Sequence, residues 1–251
     1  MNIIALVNQK GGVGKSTTAV NLGAYLVARG KKVLLIDMDP QANATTGLGF
    51  KSENVEQSVY DSLAGKTFLK DIILKTSLLG YDLVPATQDL AGATIELVEV
   101  VDREYKFYNA VKDIKNNYDY ILIDCPPSLG LLTVNSLTAA DKIIVPVQCE
   151  YYALEGLSQL LNSIDLIKTN LKEDLEVMGA VLTMYDKRNH LSRQIIKEVR
   201  RHFPGYVFDA VIPRNVSLAE APSFGKTILQ YAPNSAGAKA YNYLAREVIS
   251  I

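Results

Sequence analysis

The sequence predicts an α/β fold, a doubly wound and mostly parallel sheet with helices on both faces. Short β-branched apolar blocks recur along the chain, and segments of helical period separate them, which is the pattern of βαβ units. No Pro/Gly/Ser-rich linker, internal repeat or low-complexity tract interrupts the series, so the 251 residues read as one domain.

The predicted strands are Asn2 to Asn8, Lys32 to Asp37, Tyr81 to Pro85, Tyr120 to Asp124, Lys142 to Val147, Glu176 to Met184 and Val207 to Ile212. Helical periodicity places helices at Lys15 to Arg29, Leu129 to Ala139, Leu154 to Thr169, Leu191 to Phe203 and Ala236 to Ile249, with two more between Thr87 and Asn116. In an open sheet of this class ligands bind beyond the carboxyl ends of the strands, so the informative residues should follow strands.

Composition narrows the class further. Apolar residues make up 48% and charged residues 21%, which excludes disordered, collagen-like and coiled-coil chains. A chain of this length buries about 70–75% of its surface on folding. Cys125 and Cys149 stand 24 positions apart among apolar neighbours, neither a disulfide framework nor metal-ligand spacing, and read as buried thiols of a reducing cytoplasm. The first residues run directly into Ile3 to Val7 without a basic leader, and no apolar run approaches a membrane span; neither a signal peptide nor a spanning helix is expected.

The first strand runs into Gln9-Lys10-Gly11-Gly12-Val13-Gly14-Lys15-Ser16-Thr17 and then a helix, the setting of a phosphate-binding loop. Glycines let successive N–H groups turn toward phosphate oxygens at the positive end of a helix. Lys15 would reach the β and γ phosphates of ATP, and the Ser16 hydroxyl would hold Mg²⁺. The second strand ends in Asp37-Met38-Asp39-Pro40-Gln41, where Pro40 stops the strand and delivers both carboxylates to the same edge. For Asp37, capping the turn competes with a direct role. A further strand, Tyr120 to Ile123, ends at Asp124, placed to hold Mg²⁺ through water.

The loop departs from G-x-x-x-x-G-K-[ST] at Gln9 and adds Lys10. Lys10-Gly11-Gly12-Val13-Gly14-Lys15-Ser16 resembles the deviant phosphate loop of the ParA/MinD ATPases, and Asp37 to Asn43 resembles that family's D-x-D-P-Q-x-N motif. With Val211-Ile212-Pro213-Arg214-Asn215, the resemblance covers nearly the whole chain and is nearest to the chromosomal ParA (Soj) branch. It implies an ATP-sandwich homodimer in which Lys10 acts across the interface. It also implies that Asp39 orients the attacking water and helps hold the metal, and that Pro213, Arg214 and Asn215 lie near the adenine. Because the loop starts at residue 9, no N-terminal DNA-reading domain is expected, and any DNA contact falls to the ATPase fold itself.

The 26 basic and 27 acidic side chains sum to −1, which conceals a polarity. Residues 187 to 202 carry six basic side chains and one acidic, a local +5, leaving −6 for the remainder. On a helix Arg193, Lys197, Arg200 and Arg201 cluster on one side, while Ile195, Val199 and Phe203 face the core. Such a stripe neutralises phosphates without reading bases. With the family resemblance it implies binding of non-specific double-stranded DNA, through candidates Arg188, Arg193, Lys197, Arg200, Arg214 and Lys226. Ser217, where relatives of this type place arginine, points to a smaller or shifted patch.

The resulting expectation is a cytoplasmic, nucleoid-associated partitioning ATPase that closes on ATP, binds DNA and is released on hydrolysis stimulated by a ParB-type partner. A MinD-like membrane switch would need a basic amphipathic terminal helix. Lys239 to Ile251 offers two basic residues and one acid, so packing against the domain is expected instead, with no stable membrane association. An ATP-dependent ligase or an iron–sulfur protein of the same superfold is the third reading, and neither cysteine has a cluster-ligand setting for the latter.

Overall fold

The computed structural model describes residues 2–150 and 153–251. The strands are β1 (Asn2–Leu6), β2 (Val33–Asp37), β3 (Leu74–Lys75), β4 (Tyr81–Val84), β5 (Tyr120–Asp124), β6 (Lys142–Gln148), β7 (Glu176–Tyr185) and β8 (Val207–Pro213). The helices are α1 (Lys15–Val27), α2 (Asn43–Gly47), α3 (Val59–Leu63), α4 (Leu90–Glu96), α5 (Lys106–Val111), α6 (Leu131–Ala139), α7 (Ala153–Asn170), α8 (His190–His202), α9 (Val216–Glu220), α10 (Ile228–Tyr231) and α11 (Ala236–Ser250).

All eight strands join one sheet in the order β3-β4-β2-β5-β1-β6-β7-β8, parallel except for the β3–β4 pair at one edge. The seven strands expected from sequence are present, and so are the long helices. Between Thr87 and Asn116 the two helices are short, α4 and α5, joined by turns. Two-residue β3 and the one- to two-turn helices α2, α3, α9 and α10 have too few residues to display a period, so pattern reading passes over them.

Central strands β1, β2 and β5 are almost wholly buried, which is why each reads as a nearly continuous apolar run rather than an alternating one. One core layer lies between the sheet and α3 to α8, and the other lies beneath α1 and α11. In α1 the packing depends on Gly23. A Cβ there would overlap the Tyr81 hydroxyl, which is held at 3.2 and 3.1 Å from the Ala19 and Val20 carbonyls. Gly23→Ala should therefore lower stability by about 2 kcal/mol through overpacking, measurable by denaturant unfolding.

α11 packs as expected from its sequence. Its apolar face, Ala238, Tyr241, Leu244, Ala245 and Val248, is buried in the α1 layer of the core. Its one carboxylate, Glu247, accepts hydrogen bonds from Tyr206 Oη, Asp209 N and Ala210 N, each at 2.8 Å, and so caps the outer edge of β8. Both thiols are buried, and burial pushes each pKa up to about 12. Native protein should therefore resist a thiol-labelling reagent at neutral pH and take up two equivalents only after denaturation.

Candidate nucleotide site

The sheet order makes β2, β5 and β1 neighbours, so the segments following these three strands converge on one edge. Register sharpens this. Leu6 is opposite Asp124, and Asp37 is opposite Asp124 on the other side.

The loop after β1 is fastened from below. The buried Asn8 amide donates to the Pro146 carbonyl at 2.7 Å, and its Oδ1 accepts from Lys10 N at 2.9 Å. Thr183 on β7 donates to the Val13 carbonyl at 2.8 Å. Gly14, at φ +89°, makes the left-handed turn into α1, where a side chain would be strained. No side chain caps α1, so its first-turn N–H groups are directed at the cavity above. Lys15 is buried and donates to the Lys10 carbonyl at 3.3 Å; burial lowers its pKa, against the pull of Asp124 and Asp39.

That cavity measures about 420 Å³ and is lined by Gly12, Lys15, Ser16 and Thr17 below and by Asp39 and Lys226 at its sides. A second cavity of about 520 Å³ shares Gly14, Thr17 and Met184 with it and runs along Pro213, Arg214, Asn215 and Tyr241. The first offers backbone donors and a cation, suited to phosphates. The second offers flat apolar walls with a few polar groups, suited to a base and its sugar.

Asp37 proves to be the organiser of the turn that carries Asp39. Its Oδ2 accepts from Thr45 N and Thr45 Oγ1, both at 2.8 Å, and its Oδ1 accepts from Asp39 N at 3.1 Å. Burial raises its pKa to about 6. Asp39 accepts from Gln41 N at 3.0 Å and otherwise faces the cavity. Asp124 is fully buried, and neither of its carboxylate oxygens has a hydrogen-bond partner; the Ser16 hydroxyl is close by, outside hydrogen-bond geometry. Burial, and then Asp37 beside it, drive its pKa well up.

An orphaned buried carboxylate beside a serine hydroxyl fits a hydrated Mg²⁺. No set of three His, Cys, Asp or Glu among the described residues could hold a metal alone, so such an ion would need nucleotide oxygens as well.

The remaining sequence candidates divide. Lys10 Nζ lies 3.3 Å from Glu150 Oε2, and Arg214 Nη2 lies 3.0 Å from Glu150 Oε1, so Glu150 bridges the two. Arg193, Lys197, Arg200 and Arg201 are exposed on the side of α8 opposite buried Ser192, Ile195 and Val199. Arg200 is 3.5 Å from Asp209, and Arg188 clamps Asp186, holding that carboxyl down to about 2. Arg188 and Arg214 line the second cavity and Lys226 the first, so these three belong to the pocket wall rather than to the α8 stripe. Sequence reading missed Asn8, Thr183, Met184 and Glu150. Met184 sits at φ +53° where the cavities meet, a conformation without a sequence signal in methionine.

The family model described as AAA domain matches residues 1–177. The chain is 57% identical over 246 residues to the sporulation initiation inhibitor protein Soj of Bacillus subtilis, covering 98% of this chain and 97% of that one. It is 53% identical over 252 residues to the chromosome partitioning protein ParA of Caulobacter vibrioides, covering 100% and 94%. Among solved structures, cobyrinic acid a,c-diamide synthase of Mycobacterium smegmatis, with bound ADP and magnesium, superposes with a TM-score of 0.88 at 37% identity, covering 99% and 94%. Fold and loop together define a P-loop ATPase of the deviant-lysine class. The chain belongs to the ParA/MinD family, on its chromosomal ParA side.

Proposed function

We propose that this chain is an ATP-driven DNA-partitioning switch. Two subunits close on two ATP molecules, the closed dimer binds DNA without sequence preference, and hydrolysis, stimulated by a ParB-type partner, releases it. The observation that carries the reading is the pairing of a Lys10-bearing phosphate loop with a helix, α8, whose outward face exposes Arg193, Lys197, Arg200 and Arg201. Similarity to relatives named for chromosome partitioning, the Caulobacter vibrioides protein among them, supports it.

The chemistry assigned to the site is transfer of the γ-phosphoryl group to water. An oxygen–phosphorus bond forms as the bond to the β–γ bridging oxygen breaks, and ADP leaves. Asp39 positions the water, and Lys15 with the first-turn N–H groups of α1 balances the charge that develops on the leaving oxygen. Mg²⁺, held by Ser16 and through water by Asp124 and Asp39, would supply further charge neutralisation on the phosphates. Gly11, Gly12, Val13, Gly14 and Thr17 contribute backbone and hydroxyl contacts, and Pro213, Arg214 and Asn215 frame the base. Lys10 would exchange Glu150 for the nucleotide of the facing subunit. Localisation follows as cytoplasmic and on the nucleoid.

Two alternatives are less well supported. For a membrane switch the apolar face of α11 would have to leave the core, where it is buried. For an iron–sulfur protein both thiols would have to reach the surface.

Retention on random-sequence DNA tests the reading. Wild-type protein should be retained more strongly with ATP than with ADP. Arg193→Glu with Lys197→Glu should lose that retention, and the salt-dependence slope should fall by about 3 to 4 for a dimer. Retention that ignores the nucleotide, or survives both substitutions, contradicts the proposal.

A further inference from the structure

Among the described residues, Ala42, Asp102 and Met184 take a positive φ without being glycine. Ala42 and Asp102 are short, and aspartate is enriched in that region, so Met184 at φ +53° is the one that carries a long side chain there. The cause lies in the register of the last two strands. From Leu182 to Tyr185 β7 advances three residues, while β8 advances two, from Val211 to Pro213, so β7 holds one residue more. Such a bulge bends its strand and re-aims a side chain. The residues on either side of Met184 are tied down. The Thr183 hydroxyl donates to the Val13 carbonyl at 2.8 Å, and the Thr183 carbonyl accepts from Cys149 N at 3.0 Å. Beyond Met184, the Tyr185 carbonyl accepts from Arg214 N at 2.9 Å. One anchor is the phosphate loop and another is the wall of the second cavity, so the turn between them falls on Met184.

That turn stands where the two cavities meet. Met184 is half-buried and lines both the cavity of about 420 Å³ above Lys15 and the cavity of about 520 Å³ along Pro213 and Asn215. Gly14 and Thr17 share the junction, and neither offers a broad apolar surface. A thioether on a flexible stem does, and its sulfur packs well against aromatic edges. Met184 is not among the apolar residues that fill or flank either core layer. Folding alone would be served better by glycine, which takes this φ without strain, so the side chain is there to touch a ligand.

We propose that Met184 partitions the nucleotide site: its strained backbone sets the side chain between the phosphates and the nucleoside, and the nucleoside half of ATP is retained by contact with it. The strain is sustained by the bonds that fix its neighbours to Val13, Cys149 and Arg214. The inference rests on the assignment of one cavity to phosphates and the other to base and sugar, and it adds the residue that divides them.

The test uses the full chain as wild type, Met184→Gly, Met184→Ala and Met184→Leu, with ADP and pyrophosphate as probes in the presence of Mg²⁺. Without ligand, Met184→Gly should melt about 2 °C above Met184→Ala, because only the former relaxes the left-handed turn. At an ordinary φ that order is reversed, since glycine loses more entropy than alanine on folding. Affinity should not follow stability. ADP should bind about tenfold more weakly to Met184→Gly and to Met184→Ala than to wild type, while pyrophosphate binds all four proteins alike. Met184→Leu, with an apolar side chain of similar volume, should recover most of the ADP affinity. If Met184→Ala melts with or above Met184→Gly, the strained backbone is overturned. The partition is overturned if ADP and pyrophosphate affinities fall together, if neither truncation changes ADP affinity, or if wild type binds ADP but not pyrophosphate. A wild type that binds neither probe refutes the nucleotide reading itself, while the order of melting still decides the backbone.

Discussion

Asp39→Ala should reduce ATP turnover by about 10² to 10⁴-fold, the range expected when a water-positioning group is lost, and leave nucleotide binding nearly intact. The carboxylate lines the cavity and holds little else in place, since its one side-chain hydrogen bond is to Gln41 N, two residues on. The donors proposed to bind the phosphates belong to the loop and to α1, which the substitution does not touch. With hydrolysis blocked, the ATP-bound state should persist, so retention on DNA should rise rather than fall. Phosphate release and nucleotide titration on the same sample check the split. Loss of binding in parallel with turnover would mean that Asp39 holds the loop instead of the water.

Glu247→Ala should cost about 3 kcal/mol of stability. The carboxylate accepts three hydrogen bonds, and two come from backbone N–H groups of β8, the outer strand of the sheet. Truncation leaves Asp209 N and Ala210 N without an acceptor and frees α11 from the edge it caps. In a chain of this size the melting temperature should drop by about 10 °C. Glu247→Gln keeps one acceptor oxygen and should recover part of the loss. Thermal unfolding followed by circular dichroism distinguishes the three proteins, and an unchanged midpoint for alanine would show that α11 is held by its apolar face alone.

The parts of this molecule that were legible in its sequence are those where one physical cause acts locally. A parallel strand buried on both faces must be apolar throughout, so Tyr120 to Ile123 announces itself, and so does the acid at its tip. A loop that turns N–H groups inward needs glycines, and Gly12 and Gly14 both take positive φ. The basic stripe of α8 is legible because helical spacing alone puts Arg193 and Lys197 opposite Ile195 and Val199.

What escaped depends on tertiary meetings. Asp37 could not be told from a turn cap until its register with Asp124 and its bonds to Thr45 were visible; it proves to be a cap that holds the Asp39 turn. Glu150 lies 140 positions from Lys10 and 64 from Arg214, and nothing local marks it as their shared partner. Lys226 was grouped with the DNA candidates, whereas the chain's path puts it on the wall of the first cavity; Arg214, expected near the adenine as well as at DNA, lines the second. Glu247, read as a mark against membrane binding, turns out to be a latch on β8.

In the proposed cycle ATP closes two subunits over a site built on Lys15. Light scattering coupled to size exclusion, run on wild type and Lys15→Ala with ATP and with ADP, reads this closure. A dimer is expected only for wild type with ATP, and monomers in the other three samples. A dimer that forms equally in wild type and Lys15→Ala, or equally with either nucleotide, would contradict it.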